Sequence, residues 1–288
     1  MNHTEFTARG FALVAQVLTG AECEAVARRV AEVPAGSAGT RCLLYHAWCR
    51  ALAAKISQHP SLSPLIPSDF VATQCTYFEK SLSRNWLVPM HQDLSIPVAG
   101  RVEHESLGGW SEKEGTLYVQ PPVELLQRLV AVRLHIDACG VNDGPLRVVP
   151  GSHLYGRLPA EAAAAARRDQ TEFVCTAGQG SAMAMRPLLL HASSKSTGSN
   201  MRRVLHFLYG PRELPLGLRW QHAVQAGLQR THRKNQPDSS LNDHRPLPPA
   251  PSQLQTNTNC PASVFQVPSF IPGADLQRIQ SINDSIND

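Results

Sequence analysis

The sequence has 288 residues, 42% of them apolar and 17% charged, with a net charge of +4. That is a globular composition with chain enough for one large domain or two small ones, and the positive excess is too slight to indicate nucleic acid as a partner. Seven cysteines without CxxC spacing exclude a zinc knuckle and give no disulfide framework, and no apolar run approaches the ~18 residues of a membrane span.

In chain order, the opening MNHTEFTARG lacks a signal-peptide pattern, so a reducing, cytoplasmic location is expected. Gly10 to Leu18 reads as a strand. Thr19-Gly20-Ala21-Glu22 fits a capping box that opens a helix running to about Val33. A second helix is predicted from Tyr45 to Ser57. From Asp69 the pattern turns to β: Phe70 to Phe78, Leu87 to Val98 and Leu129 to Ile136 read as strands. LRVVP, EFVCTA, SAMAM and LLLHAS follow, split by Gly and Pro turns, and Arg202 to Gly210 is the last strand. Pro159 to Asp169 is an Ala-rich helix among them. Arg101 to Pro122 reads as a long insert, either a lid or a solvated crossover. Many short strands at this spacing, with flanking helices, indicate a mainly β jelly roll. Residues 1–235 form the predicted domain. After Gln236 the chain is rich in Pro, Ser and Asn and lacks aromatic periodicity, so residues 236–288 read as a flexible tail. The basic string Arg230 to Lys234 reads as a solvated stretch.

Within VPMHQDLSIPV, His91 and Asp93 share one face of a strand and Gln92 takes the other. They are either the polar edge of a surface hairpin or two legs of a metal site. A non-haem iron centre needs two His and one carboxylate on one side of the metal. His191 follows Asp93 by 98 residues, room for the strands that would bring the chain back, and Arg202 stands eleven residues later at the start of an apolar strand. A buried Arg needs an anion, and the distal carboxylate of 2-oxoglutarate is one. His135-Ile136-Asp137 is a second His-x-Asp string, but too few strands separate it from His191, and Asp137 leads into a turn. His153 and His206 read as structural.

Four segments together resemble the phytanoyl-CoA dioxygenase family of Fe(II)- and 2-oxoglutarate-dependent oxygenases: Trp86 to Asp93, Asn142 to His153 (NDGPLRVVPGSH), His191 to Ser193, and Arg202. The likeness spans roughly residues 5 to 215. It implies a double-stranded β-helix with iron on His91, Asp93 and His191. It further implies that Arg202 and Ser193 bind 2-oxoglutarate, with Gln74, Lys80 and Trp110 as additional cosubstrate contacts. O2 and a small-molecule substrate complete the implied reaction, which releases succinate and CO2 from a monomer or homodimer. Because Asp93 is present, hydroxylation is favoured over halogenation. Two alternatives stay open: a cupin-like metal-binding protein that performs no oxidation, and a hydroxylase acting on another protein.

Overall fold

The computed structural model describes residues 3–33, 39–41 and 43–225. The expected tail, the basic string and the last residues of the predicted domain lie outside the described residues. The helices are α1 (His3–Arg9), α2 (Gly20–Ala31), α3 (Ala47–Gln58), α4 (Val123–Arg128) and α5 (Ala160–Asp169). The strands are β1 (Phe11–Val14), β2 (Gly39–Thr40), β3 (Phe70–Lys80), β4 (Val88–His91), β5 (Ile96–Val98), β6 (Gly108–Lys113), β7 (Thr116–Gln120), β8 (Val130–His135), β9 (Leu146–Val148), β10 (Phe173–Cys175), β11 (Ala182–Met185), β12 (His191–Ser193), β13 (Arg202–Pro211) and β14 (Val224–Gln225).

A seven-stranded sheet runs β1-β11-β8-β13-β3-β14, with β2 beside β3. A four-stranded sheet runs β10-β9-β12-β4, and β5-β7-β6 form a third. All strand pairings among the described residues are antiparallel. One core lies between the large sheet and α1–α3, where Phe6, Cys49, Ile56, Val132, Leu134, Phe207 and Tyr209 are buried. A second lies between the sheets, with Ala131, Met183 and Leu208 from the large sheet against Leu146, Val148 and Cys175 from the four-stranded one. This is the jelly roll that the strand spacing predicts.

The capping box forms as read. Thr19 Oγ1 accepts from Glu22 N–H, and the Glu22 carboxylate accepts from Thr19 N–H at 2.9 Å. Four expectations are corrected. The first strand ends at Val14, and the residues after it turn, with Gln16 at a φ of 55°. Leu87 to Val98 is two short strands in different sheets, because after His91 the chain leaves β4 and Asp93 N–H bonds Pro187 O at 2.9 Å. LLLHAS is strand only from His191, since Leu189 N–H closes a turn onto Arg186 O. The insert is not an open loop: β6 and β7 make a hairpin whose two turn residues, Glu114 and Gly115, both have positive φ (52° and 71°), the backbone of a tight primed turn. Glu114 holds this hairpin to the chain before α3, accepting from Thr40 Oγ1 at 2.6 Å and Arg41 N–H at 2.9 Å.

One irregularity places the site. The β3–β13 register steps across Thr73, so Gln74 faces Leu208 while Ala72 faces Tyr209. This bulge reverses the alternation of β3. Phe70 and Ala72 pack under the helices, whereas Gln74, Thr76 and Phe78 face the space between the sheets.

Candidate metal and cosubstrate site

Between the sheets lies a cavity of about 480 Å³. The four-stranded sheet contributes His91, Leu146, His191 and Ser193, and the segment after β4 contributes Asp93. The large sheet contributes Gln74, Thr76, Phe78, Arg133, Arg202 and His206, and the hairpin closes one side with Lys113, Tyr118 and Gln120.

His91 and His191 are cross-strand partners on β4 and β12, with ring centroids 4.2 Å apart. Register therefore delivers the late His beside the early one. His91 Nδ1 lies 2.9 Å from Pro89 O, and His191 Nδ1 lies 2.8 Å from Leu189 O. A carbonyl can only accept, so each Nδ1 carries a proton, and in the neutral ring each Nε2 keeps its lone pair. His91 Nε2 is 3.6 Å from Asp93 Oδ1 and His191 Nε2 is 3.8 Å from Asp93 Oδ2. One ligand atom from each of the three residues lies within 4.8 Å of the others, a group that could hold a metal ion. Two imidazoles oriented by backbone carbonyls and one carboxylate are the donor set of a facial non-haem iron centre, so the residues fit the metal.

The electrostatics agree with that use. Burial alone would raise the Asp93 carboxyl, but the imidazoles of His191, His91 and His206 outweigh it and hold the group well below the usual carboxylate range. Burial pushes His191 down to about 4 despite the opposing Asp93 charge. His191 is therefore neutral at physiological pH, as a ligand must be.

Gln92, between His91 and Asp93, is a clamp. Its Nε2 donates to Gly156 O and to Leu188 O, both at 2.7 Å, and its Oε1 accepts from Leu158 N–H at 2.8 Å. It ties the His91–Asp93 segment to the one that delivers His191. Ser152 does the same from the PGSH turn: its hydroxyl donates to Val149 O at 2.7 Å and accepts from Leu190 N–H at 2.9 Å.

Arg202, buried at the start of β13, donates through Nη1 to Gly144 O, while its Nε has no hydrogen-bond partner. Ser193 Oγ donates to the same carbonyl at 2.8 Å. Gly144 has a φ of +63°, and a Cβ there would meet Ser194 O at 2.6 Å, so the NDGP turn needs glycine to bring this carbonyl to both side chains.

Of the other expected cosubstrate contacts, Gln74 lines the cavity and donates from Nε2 to Thr76 Oγ1 at 2.7 Å. Lys80 and Trp110 are placed differently. Lys80 is fully buried behind Ser193, donating to its Oγ at 2.7 Å and to Ser194 O, and does not line the cavity. Burial first, then the charges of Arg202 and Arg133, push it down to about 7. Trp110 stands half-buried on β6 with Arg101 5.2 Å from its ring centre, also outside the cavity lining.

The rejected string is structural. Asp137 takes the Arg203 guanidinium at 2.8 and 2.7 Å and accepts from Arg203 N–H at 2.8 Å. His153 Nε2 meets Thr7 O at 3.0 Å and fastens α1. His206 is a correction: it lines the cavity with Nε2 3.8 Å from Asp93 Oδ2. Arg133 was not anticipated at all. Two signals were available. His206 lies four residues beyond Arg202 on one strand and so shares its face, and Arg133 is the one charged residue in the otherwise apolar run LVAVRL.

The family model described as phytanoyl-CoA dioxygenase (PhyH) matches residues 6–204. No curated protein matches the chain. Among solved structures, EctD from S. alaskensis in its apoform aligns with a TM-score of 0.56 at 15% identity, covering 78% of this chain and 85% of that one. The non-haem α-ketoglutarate-dependent epimerase SnoN from nogalamycin biosynthesis aligns at 0.54 and 15%, covering 74% and 84%. HygX from Streptomyces hygroscopicus, with nickel, 2-oxoglutarate and hygromycin B bound, aligns at 0.51 and 16%, covering 73% and 88%. At these identities the structures establish a shared fold. The family match spans well over half of the sequence and takes in His91, Asp93, His191 and Arg202, and on it the chain belongs to the phytanoyl-CoA dioxygenase (PhyH) family.

Proposed function

We propose that the chain is an Fe(II)- and 2-oxoglutarate-dependent dioxygenase that hydroxylates a small organic molecule, with His91, Asp93 and His191 holding the iron and Arg202 the cosubstrate. The observation that carries this reading is a juxtaposition. Two imidazole Nε2 atoms and a carboxylate converge on one wall of the cavity, and a buried guanidinium without a carboxylate partner stands in the same cavity. A cupin-like protein that performs no oxidation has use for the first and none for the second.

Bound iron would couple the decarboxylation of 2-oxoglutarate by O2 to oxidation of a substrate C–H bond, leaving succinate and CO2. This chain's residues set the conditions. Gln92 and Ser152 fix the two segments that carry the ligands. Gly144 O and Lys80 fix Ser193, and Gly144 O also aims Arg202, so that a carboxylate entering there meets an oriented, dry cation. Leu126, Leu129 and Leu208 give the cavity apolar wall, and Lys113, Tyr118 and Gln120 give it a polar one. At about 480 Å³ it has the size of a small-molecule site, which agrees with the hygromycin B carried by HygX. Five cysteines among the described residues are free and buried, which supports a reducing, cytoplasmic location.

The test is anaerobic titration with Fe(II) and 2-oxoglutarate, watching for the weak visible charge-transfer band of the chelate. The band is expected in the wild type and absent in His91→Ala. Iron binding without a band would overturn the oxygenase reading in favour of metal binding alone.

A further inference from the structure

The floor of the cavity holds a second guanidinium that the reaction as described does not use. Arg133 on β8 is 7% exposed and lines the cavity. Among the described residues its one hydrogen-bond partner is His206 Nδ1, at 3.4 Å from Nη1, and Nε has none. The face of Phe78 lies 5.6 Å from its Cζ. The acidic residue lining the cavity is Asp93, whose contacts within 4 Å are to three imidazoles and which acts on Arg133 only at longer range. Arg202 and Arg133 therefore share one buried floor, and among the described residues no carboxylate lies within ion-pair distance of either; Asp143 and Asp93 act on them only from farther away. Two like charges in one desolvated space are costly to maintain. A fold retains such a pair when a ligand of opposite charge completes it.

The two cations stand at different ends. Arg202 starts β13 at the end of the sheet where Lys80 and the NDGP turn meet. Arg133 is the cross-strand partner of His206, four residues further along, and His206 Nε2 is 3.8 Å from Asp93 Oδ2. One guanidinium thus marks the far end of the floor and the other marks the end beside the metal ligands. We propose that Arg133 is a second anchor for 2-oxoglutarate, binding its metal-side carboxylate while Arg202 binds the distal one, with His206 positioning the guanidinium. Each carboxylate of the dianion then meets one of the two guanidiniums. This rests on the 2-oxoglutarate reading above.

The test uses full-length protein loaded with Ni(II), which binds without turnover, and calorimetric titration with two acids. One is 2-oxoglutarate; the other is 2-oxopentanoate, the same chain with a methyl group in place of the distal carboxylate. Arg202→Gln should weaken 2-oxoglutarate by about tenfold or more and leave 2-oxopentanoate unchanged. Arg133→Gln should weaken both acids by the same factor, about tenfold, with Ni(II) affinity unchanged. Arg133→Lys, which keeps the charge but not the planar fork, should fall between Arg133→Gln and the wild type for both acids and decides by the same criterion where Gln does not fold. Wild-type affinity for both acids in the Arg133 variants, or loss of 2-oxoglutarate alone, would overturn the proposal. So would a parallel loss of Ni(II) affinity, which marks a structural role. A wild type that binds Ni(II) and neither acid would instead overturn the parent reading.

Discussion

Gln92→Leu offers a sharp test of how the proposed metal ligands are held, because it replaces none of the three and nearly conserves side-chain volume at a position that lines the cavity. The amide makes three hydrogen bonds, of 2.7, 2.7 and 2.8 Å, to Leu188 O, Gly156 O and Leu158 N–H. Leucine has nearly the same volume and makes none of them. Each net bond contributes ~1 kcal/mol, and a partner left buried and unpaired costs ~1–3 kcal/mol. With Gln92 itself only 9% exposed, the loss should be about 3 kcal/mol, a large share of the stability of an ordinary domain. That lowers the melting temperature by about 10 °C. Ni(II) affinity should fall as well, because His91 and His191 lose the tie between their segments. Thermal and urea unfolding of the metal-free protein, with Ni(II) titration beside them, make the measurement. Gln92→Glu is the control: it places a carboxyl against two carbonyl oxygens, which raises its pKa above the ordinary ~4.3. The unfolded chain then releases that proton at lower pH than the folded one, so the deficit against wild type should widen as pH rises from about 4 through the raised value. A Leu variant within ~1 kcal/mol of wild type, or a Glu variant whose deficit does not change with pH, would refute the clamp.

Two further perturbations separate framework from site. Asp137→Ala removes the double contact to the Arg203 guanidinium and the bond from Arg203 N–H; it should cost about 2 kcal/mol in urea unfolding while Ni(II) affinity stays at the wild-type value, and a tenfold weaker metal site would show that the second His-x-Asp string had been misjudged. Lys80 releases its proton near 7 when folded and near 10.5 when unfolded, so between those values unfolding takes up a proton and stability rises with pH. In the ligand-free protein Lys80→Met should remove about 2 kcal/mol of the gain between pH 7 and 9, read from urea midpoints, and equal slopes in both proteins would refute the buried cation.

The proposed metal triad was legible because its chemistry is carried by few residues with strong local signatures. A His-x-Asp pair on a strand reads directly as two groups on one face, and the capping box at Thr19 reads as directly for α2. The return of His191 could be argued from strand count alone, and the register of β12 against β4 supplies the reason: His191 and His91 are paired residues. What stayed hidden depends on phase. The bulge at Thr73 reverses β3, so simple alternation cannot say which of Gln74, Cys75 and Thr76 faces inward. The hairpin of β6 and β7 was hidden by its charged sequence, GGWSEKEGTLYV, whose strand residues are half solvated; only the Glu-Gly turn betrays it. Trp110 was expected only from the family resemblance, and it stands on β6, outside the cavity lining.

The two facing sheets divide the labour of the site. Both imidazole ligands belong to the four-stranded sheet, and Asp93 follows directly from its β4. There short strands and turns let backbone carbonyls set each Nδ1 and leave each Nε2 free. The cations belong to the large sheet, where long strands with apolar backs hold Arg202, Arg133 and Lys80 away from water at fixed register. Their outward neighbours, such as Val132, Leu134, Leu205 and Phe207, are buried under the helices. The apolar core that stabilises the sheet is thus the same structure that strips water from the charges on its other face. On the proposed reading, an anionic ligand that reaches the metal would lie between the two sheets, and its binding would relieve an electrostatic cost that the fold bears without it. The energy that positions the cosubstrate is then supplied largely by desolvation already accomplished during folding, which is why substitutions behind the cavity, at Gly144 or Lys80, should register in cosubstrate affinity although neither residue lines it.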